Sequence, residues 1–461
     1  MRFYKHFLFI SGLLSSIYCF SQEAVELPVH RIFSPEELQN DFNVFRERYE
    51  ASLANLYLYV SKERLDKIFD DLYKEIKPMT AEEFYKFITP VSSIIKDGHS
   101  NIFPPKENTE YFDRNAVFFP FNIYWKEGRM FISKNLSGDT SIQSGNEIIS
   151  INGLPAFAVM NYLLKRQVRD GENENYAVWI LNHYFREYYS YHFGHPSSFE
   201  MSLRKAENKF STIIVKALSK DVIASNREAR YPKRNDSEKT YFAIDSITHA
   251  GIFKIKSWDE KNLNQQIEDV FREIKSHRID HLIIDVRDNQ GGDFDLAIYL
   301  LSYILQQPFQ YFNNLESVES HNDTGQLLSS RKGKMLGTHE ARKDSYQGKV
   351  YVLINGGCFS NTAAFCSRIA YYKRGEFIGE ETGGNKVVFS GEFGLKGNTI
   401  LPNTKIICEN ANYRMTVTDL IENTGHGVVP DYKVEMNVED DIAGRDVVLM
   451  KAIELIYQSS H

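Results

Sequence analysis

Cysteine is scarce in this chain. Four stand in 461 residues, at positions 19, 358, 366 and 408, with no CxxC and no Cys/His cluster. That leaves no basis for a structural zinc site. Once the N-terminal segment is removed, three cysteines remain, an odd number that leaves at least one free thiol. An excess of positive charge is also missing. With 54 Lys and Arg against 61 Asp and Glu, the net charge is -7 and the pI about 6.0, which argues against a broad nucleic-acid surface. Beyond the first twenty residues no apolar run is long enough to span a bilayer. GxSxG is absent, which excludes the nucleophile elbow of an α/β-hydrolase. What is present is a globular composition, 42% hydrophobic and 25% charged, and length for roughly three domains of about 150 residues each.

The first 21 residues have the form of a signal peptide. MRFYKH is a short basic start, and FLFISGLLSSIYCF is an apolar stretch too short to span comfortably. Ser21–Gln22 is the expected cleavage region. Acylation of Cys19 is the lipoprotein alternative, opposed by the bulky Tyr18 before it. The expectation is an exported protein, periplasmic or extracellular, with no stable membrane span.

The remainder divides by pattern. Residues 22–110 read as an N-terminal helical domain, with helix starts at Ser34-Pro35-Glu36-Glu37 and Thr80-Ala81-Glu82-Glu83. Residues 111–220 turn to short strands, with AVFFPFNIYW and RMFISK flanking a Lys126-Glu127-Gly128 turn. GNEIISINGLPAFAVMNYLL follows, a strand closed by a tight Asn152-Gly153 turn and then a helix. This order resembles the GD-x-I-x-x-I-N-G core of PDZ-like domains, with Asn146 in place of Asp, and implies a module that adds an extended peptide to a sheet edge. A small β-domain with an ordinary hairpin is the alternative. Residues 221–240 are polar and read as a solvated linker. Residues 241–461 alternate strand, Gly-rich loop and helix: HLIIDV then RDNQGG then DFDLAIYLLSYIL, and KVYVLI then NGGCF then a helix from Ser360. Such repeats predict an α/β domain with its site at the C-terminal ends of the strands.

Three stretches can carry chemistry. Ser360 sits where a buried strand turns into a helix, with unpaired N–H groups and a helix dipole suited to a developing oxyanion; an ordinary Ser N-cap is the bland alternative. Cys358 is a rival nucleophile or a small buried residue. Asp97-Gly98-His99-Ser100 puts an imidazole beside a hydroxyl, and Gly291-Gly292 in RDNQGG lets backbone approach a ligand closely.

Taken in order, DGHS (97–100), LIIDVRDNQGGDFD (282–295), VYVLINGGCFSNTAAF (350–365) with FIGEETGG (377–384), and HGVVPDYKVE (426–435) resemble the S41 serine peptidases: C-terminal processing (tail-specific) proteases, tricorn core proteases and relatives. The resemblance covers about residues 35–440 and implies a multidomain α/β protein with a ClpP/crotonase-like catalytic domain. It matches Ser360 to the nucleophile. The processing branch activates Ser with a Lys from G-K-x-T-x-G-K-G; here that stretch is GEETGGNK, with Asn385 at the Lys position and Lys386 one residue later as alternative base. The tricorn-like branch uses Ser-His-Ser-Glu, which makes His99 the general base, Glu422 the carboxylate and Ser100 a candidate for the second Ser. His426 is a further histidine near the C-terminal motif, without a family role. The oxyanion hole would use backbone N–H groups of Gly291 or Gly292 and of Asn361.

The resulting expectation is an exported serine peptidase that forms an acyl-enzyme on Ser360, needs no cofactor or metal, and takes a peptide or protein substrate, with the PDZ-like module either holding the substrate's C-terminus or gating the site. The alternatives are an inactive S41-fold protein that binds peptide or hydrophobic ligands, and a scaffold working through the PDZ-like module alone. Substrate identity and oligomeric state are not encoded in these motifs.

Overall fold

The computed structural model describes residues 29–205, 209–232, 240–317, 334–391, 398–409, 411–417 and 425–460. The signal-peptide segment, with Cys19, and Glu422 lie outside the described residues.

The C-terminal half is built on one twisted sheet. Its order is Tyr241–Ile244, Gly251–Lys254, His281–Asp285, Lys349–Ile354, Glu376–Gly379, Tyr432–Lys433. The first pair is antiparallel and the rest are parallel. Two strands read in the sequence as continuous apolar runs lie at its centre, buried on both faces, as parallel strands must be. Leu282, Ile284, Val350, Val352 and Ile354 face a core shared with helices Leu263–Ser276, Phe294–Ile304 and Asn361–Tyr371. The alternate residues Ile283, Tyr351 and Leu353 face helix Val447–Ser460 through Val448, Ala452 and Ile456.

The N-terminal helices form where the caps predicted them. Ser34 and Thr80 each close a capping box, with Glu37 and Glu83 respectively, satisfying N–H groups left open by helix geometry. Their core, including Phe42, Phe45, Tyr49 and Phe69, also takes in Leu401, Ile406 and Cys408. These come from a C-terminal hairpin, Asn398–Ile400 with Ile407–Glu409, whose second strand pairs with Ile102–Phe103 just after His99. The loop bearing His99 is therefore sewn to the C-terminal half from behind.

The β-rich part is an antiparallel sheet in the order Phe121–Lys126, Arg129–Asn135, Glu147–Ile151, Ser198–Arg204, Phe210–Lys216, with Leu154–Pro155 pairing off Glu147–Ile151. Glu127-Gly128 and Asn152-Gly153 all have positive φ, between 49° and 78°, as two-residue hairpin turns require. Two features were not legible beforehand. Residues 221–240 are not simply a solvated linker, because Lys220–Arg230 is a helix. It buries Ile223, and Arg230 donates to the carbonyls of Asn135 and Ser137; polar composition concealed a docked element. The second is the 19-residue helix Asn175–Phe193. One face, with Ala177, Leu181, Phe185 and Tyr189, enters the core of the β-rich part, while Tyr176, Trp179 and Ile180 pack with Phe359 beside Ser360.

Candidate active site

Ser360 stands between strand Lys349–Ile354 and helix Asn361–Tyr371 with φ 51° and ψ -125°, a backbone that non-glycine residues rarely adopt. Such strain persists only where the surroundings over-determine it. Here both neighbours are pinned. Phe359 is buried and stacked on Tyr176 at 3.8 Å between ring centres. Asn361 is fully buried, donates from Nδ2 to the Asp293 carbonyl at 2.8 Å and accepts from the Tyr311 hydroxyl. Ser360 occupies the N-cap position yet its side chain makes no capping bond. Its Oγ lies 2.9 Å from His99 Nε2 instead. The ordinary-cap reading fails on that contact.

His99 Nδ1 lies 3.1 Å from Ser390 Oγ, and Ser390 Oγ donates to Asp97 Oδ1 at 2.9 Å. The directions follow from the end of the chain. A carboxylate only accepts, so Ser390 donates to Asp97 and accepts from His99 Nδ1–H. Nε2 is then the bare nitrogen, turned to the Ser360 hydroxyl. Asp97 Oδ1 also accepts from the His99 N–H at 2.9 Å and from Ser100 Oγ at 3.1 Å. The His99 ring stacks on Phe359 at 4.7 Å. Burial lowers its pKa from the usual 6.5, while the charge of Asp97 opposes that shift. Burial thus favours the neutral imidazole.

Several sequence expectations change here. Ser100 is not the serine that touches the imidazole: its hydroxyl turns to Asp97, and Ser390, on strand Val388–Gly391, takes that position. Asp97 ends this hydrogen-bond chain with a carboxylate, a placement that sequence reading missed although the residue lay inside the quoted motif. Gly291 does not offer its N–H to an oxyanion, because it donates to Asn289 Oδ1 at 3.0 Å. Its glycine identity has another cause: φ is +112°, and a Cβ would stand 2.9 Å from the Ser360 Cβ. The N–H groups of Gly292 and Asn361 have no hydrogen-bond partner among the described residues. Lys386 is not brought to Ser360. Its N–H donates to the His426 carbonyl, its carbonyl accepts from Ser367, and its ammonium has no partner among the described residues. Cys358 is fully buried, with burial pushing its thiol pKa well up, so it is no rival nucleophile. His426 is half exposed and meets Glu381.

One edge of the β-rich sheet, Phe121–Lys126, is partly covered by the chain itself. Along Phe121–Lys126, the Trp125 N–H donates to Asn182 Oδ1 at 2.7 Å and its carbonyl accepts from Asn182 Nδ2 at 3.4 Å. Asn182 belongs to helix Asn175–Phe193, which takes the Trp125 backbone groups that an added strand would need at that edge.

Among the described residues no helix is long and apolar enough to cross a membrane, and no group of three or more His, Cys, Asp or Glu could hold a metal ion.

Comparison with known proteins agrees with this picture. Peptidase family S41 matches residues 249–434. A probable CtpA-like serine protease of Staphylococcus epidermidis is 27% identical over 117 residues, 25% of this chain. That match spans 21% of the relative's own length. Among solved structures, mature CPAF superposes with a TM-score of 0.64 at 13% identity, covering 92% of this chain and 97% of that one. Mature CPAF complexed with lactacystin gives a TM-score of 0.60 at 14% identity, covering 92% and 98%. At that identity the structural likeness speaks for the fold, which extends well beyond the family match. The ordered motifs, the strand–corner–helix geometry and these matches agree, and through residues 249–434 the chain matches peptidase family S41.

Proposed function

We propose that this protein is an exported serine peptidase that cleaves peptide bonds through an acyl-enzyme on Ser360. The observation that carries the reading is the continuous relay Ser360–His99–Ser390–Asp97, with contacts of 2.9, 3.1 and 2.9 Å. His99 Nε2 takes the Ser360 proton as Oγ attacks the scissile carbonyl, and the imidazolium keeps its Nδ1–H on Ser390. Asp97 stabilises the positive charge through Ser390. The oxyanion forms at the helix N-terminus, against the N–H groups of Asn361 and Gly292. His99 then gives its proton to the leaving amine, and a water molecule repeats the sequence on the ester.

An aligned nucleophile and base leave the binding-protein alternative without an observation in its favour. Substrates are peptides or proteins, as the family implies. A substrate C-terminus held on the β-rich part would need an edge other than Phe121–Lys126, which Asn182 covers.

Labelling of the mature protein by a fluorophosphonate tests the reading. We expect covalent modification at Ser360, seen as a mass increase on the peptide that contains it. An unlabelled, folded protein overturns it. Lys386→Ala separates the two family branches: labelling should stay within about threefold of wild type, because the Lys386 ammonium has no partner among the described residues and its loss leaves the Ser360–His99 contact in place. A dead Lys386→Ala beside an active His99→Ala would reverse the assignment of the base.

A further inference from the structure

We propose that Asp170 is a positioning residue of this reaction: it clasps the loop bearing His99 to the loop beside the nucleophile corner and so sets the His99–Ser360 contact. The inference rests on the peptidase reading above and extends it to a residue in the β-rich part of the chain.

Asp170 lies between helices Ala156–Leu164 and Asn175–Phe193, far in sequence from either loop it holds. Its carboxylate is buried. Oδ1 accepts from the Gly98 N–H at 2.8 Å, and Oδ2 accepts from the Asn385 N–H at 3.0 Å. One carboxylate thus joins the residue before His99 to the loop that lies along the start of the nucleophile helix, where Gly384 donates to the Cys358 carbonyl. Neighbouring residues tighten the same junction. The Gly171 N–H donates to the Lys96 carbonyl, Lys96 pairs with Glu172, and the Glu172 N–H donates to the Gly425 carbonyl. Asn173 Nδ2 donates to the Thr382 carbonyl at 2.7 Å. Gly98 has no room for a side chain, because a Cβ would stand 2.5 Å from the Phe359 ring and 2.6 Å from Asp170 Oδ1. The junction is thus packed to contact, and a small change at Asp170 moves the loop that aims the imidazole.

The same carboxylate gives the device a pH dependence. Asp97 on the His99 loop acts on it by its charge, and its own charge acts on Tyr176; nearby, Lys96 pairs with Glu172, and Tyr59 meets the Asn385 side chain. Burial, and then the charge of Asp97, push the Asp170 pKa up to about 7, against the two N–H groups that favour the charged form. Above that value the carboxylate accepts on both arms; as pH falls through it, protonation weakens one arm. Activity should therefore show an acid limb near pH 7 in addition to the His99 limb below 6.5. Stability has the opposite sign. A carboxyl raised from 3.8 to about 7 stabilises the fold most below 3.8 and loses that contribution as pH rises to about 7.

Asp170→Asn in the mature protein is the test, since the amide keeps one acceptor and turns a donor toward the other N–H. We expect kcat to fall by about 10²-fold with KM little changed, as for a misplaced catalytic group. The limb near pH 7 should vanish while the His99 limb remains. Amide exchange at Gly98 or Asn385 should lose protection. Unchanged kcat and pH profile, with exchange at those amides accelerated, overturn the proposal. If Asp170→Asn does not fold, the wild-type profile decides: a second acid ionisation near 7 supports the clasp, and a single one overturns it. If the wild type takes no label and hydrolyses nothing, the peptidase reading has failed separately. The clasp is then judged by the imidazole resonances of His99, which must shift in Asp170→Asn; unchanged resonances overturn it.

Discussion

Ser360→Ala and His99→Ala should each lower kcat by on the order of 10⁴-fold or more, to nearly the same residual rate, as expected when nucleophile and base act as one unit. In the proposed mechanism Oγ forms the ester and His99 Nε2, 2.9 Å away, receives its proton. Removing either leaves only substrate binding and the helix N-terminus to act on the carbonyl. The double variant should be no worse than either single one. Both variants should fold, because Ser360 makes no capping bond and its backbone is held by Phe359 and Asn361. Steady-state hydrolysis of a peptide library, with circular dichroism to verify folding, measures this. Hydrolysis by His99→Ala within tenfold of wild type would remove His99 from the mechanism. In the wild type, the His99 pKa lies below 6.5 because of burial, so its neutral form is lost only as pH falls below that value. The same proton affects stability: a histidine with a lowered folded pKa contributes stability above 6.5 and loses it as pH falls through the lowered value.

The second large effect lies in the relay behind the imidazole. Asp97→Asn should reduce kcat by about 10²–10⁴-fold, the range expected when a carboxylate that sets a histidine tautomer is replaced by an amide. Asp97 Oδ1 accepts three hydrogen bonds, from Ser390, Ser100 and the His99 N–H. An amide turned the wrong way faces donors with a donor, and the Nδ1 proton loses its fixed place. Ser390→Ala removes the acceptor of that proton. Leaving one buried donor unpaired costs about 1–3 kcal/mol, or roughly 5- to 150-fold in rate if the cost falls on the transition state. Combining Ser390→Ala with Asp97→Asn should cost less than the sum, because both cut one chain. Ser100→Ala should be milder than either, since its hydroxyl reaches only Asp97. Kinetic parameters for the four variants decide this, and a Ser100→Ala loss exceeding that of Ser390→Ala would restore Ser100 to the relay.

Strong local signals made part of this molecule readable in advance. The capping boxes at Ser34 and Thr80 and the two tight hairpin turns each specify a backbone conformation within a few residues. The runs HLIID and KVYVLI announce strands buried on both sides, and the corner between strand and helix placed Ser360 before any geometry was known. Charge and composition misled where contacts are made at long range. SKDVIASNREAR reads as a linker until Arg230 finds the carbonyls of Asn135 and Ser137. Asp97 could have been suspected from its place two residues before His99, where an Asp side chain readily accepts a following N–H. Ser390 carries no such signal: in VVFSG it resembles any strand serine.

The chain's order of motifs was enough to indicate the family resemblance and the α/β half, and to bring forward Ser360 and His99, because glycines, caps and apolar runs record demands that the local backbone makes on each residue. It was not enough for the partners of the base. Ser390 meets His99 across 291 positions of sequence and Asp97 across 293. Asp170 reaches Gly98 across 72 positions and Asn385 across 215. Those contacts exist only after a C-terminal hairpin and strand, and a loop from the β-rich part, have closed on the DGHS turn. A hydroxyl or carboxylate gains its role from the donor or acceptor opposite it, and that neighbour is set by tertiary packing.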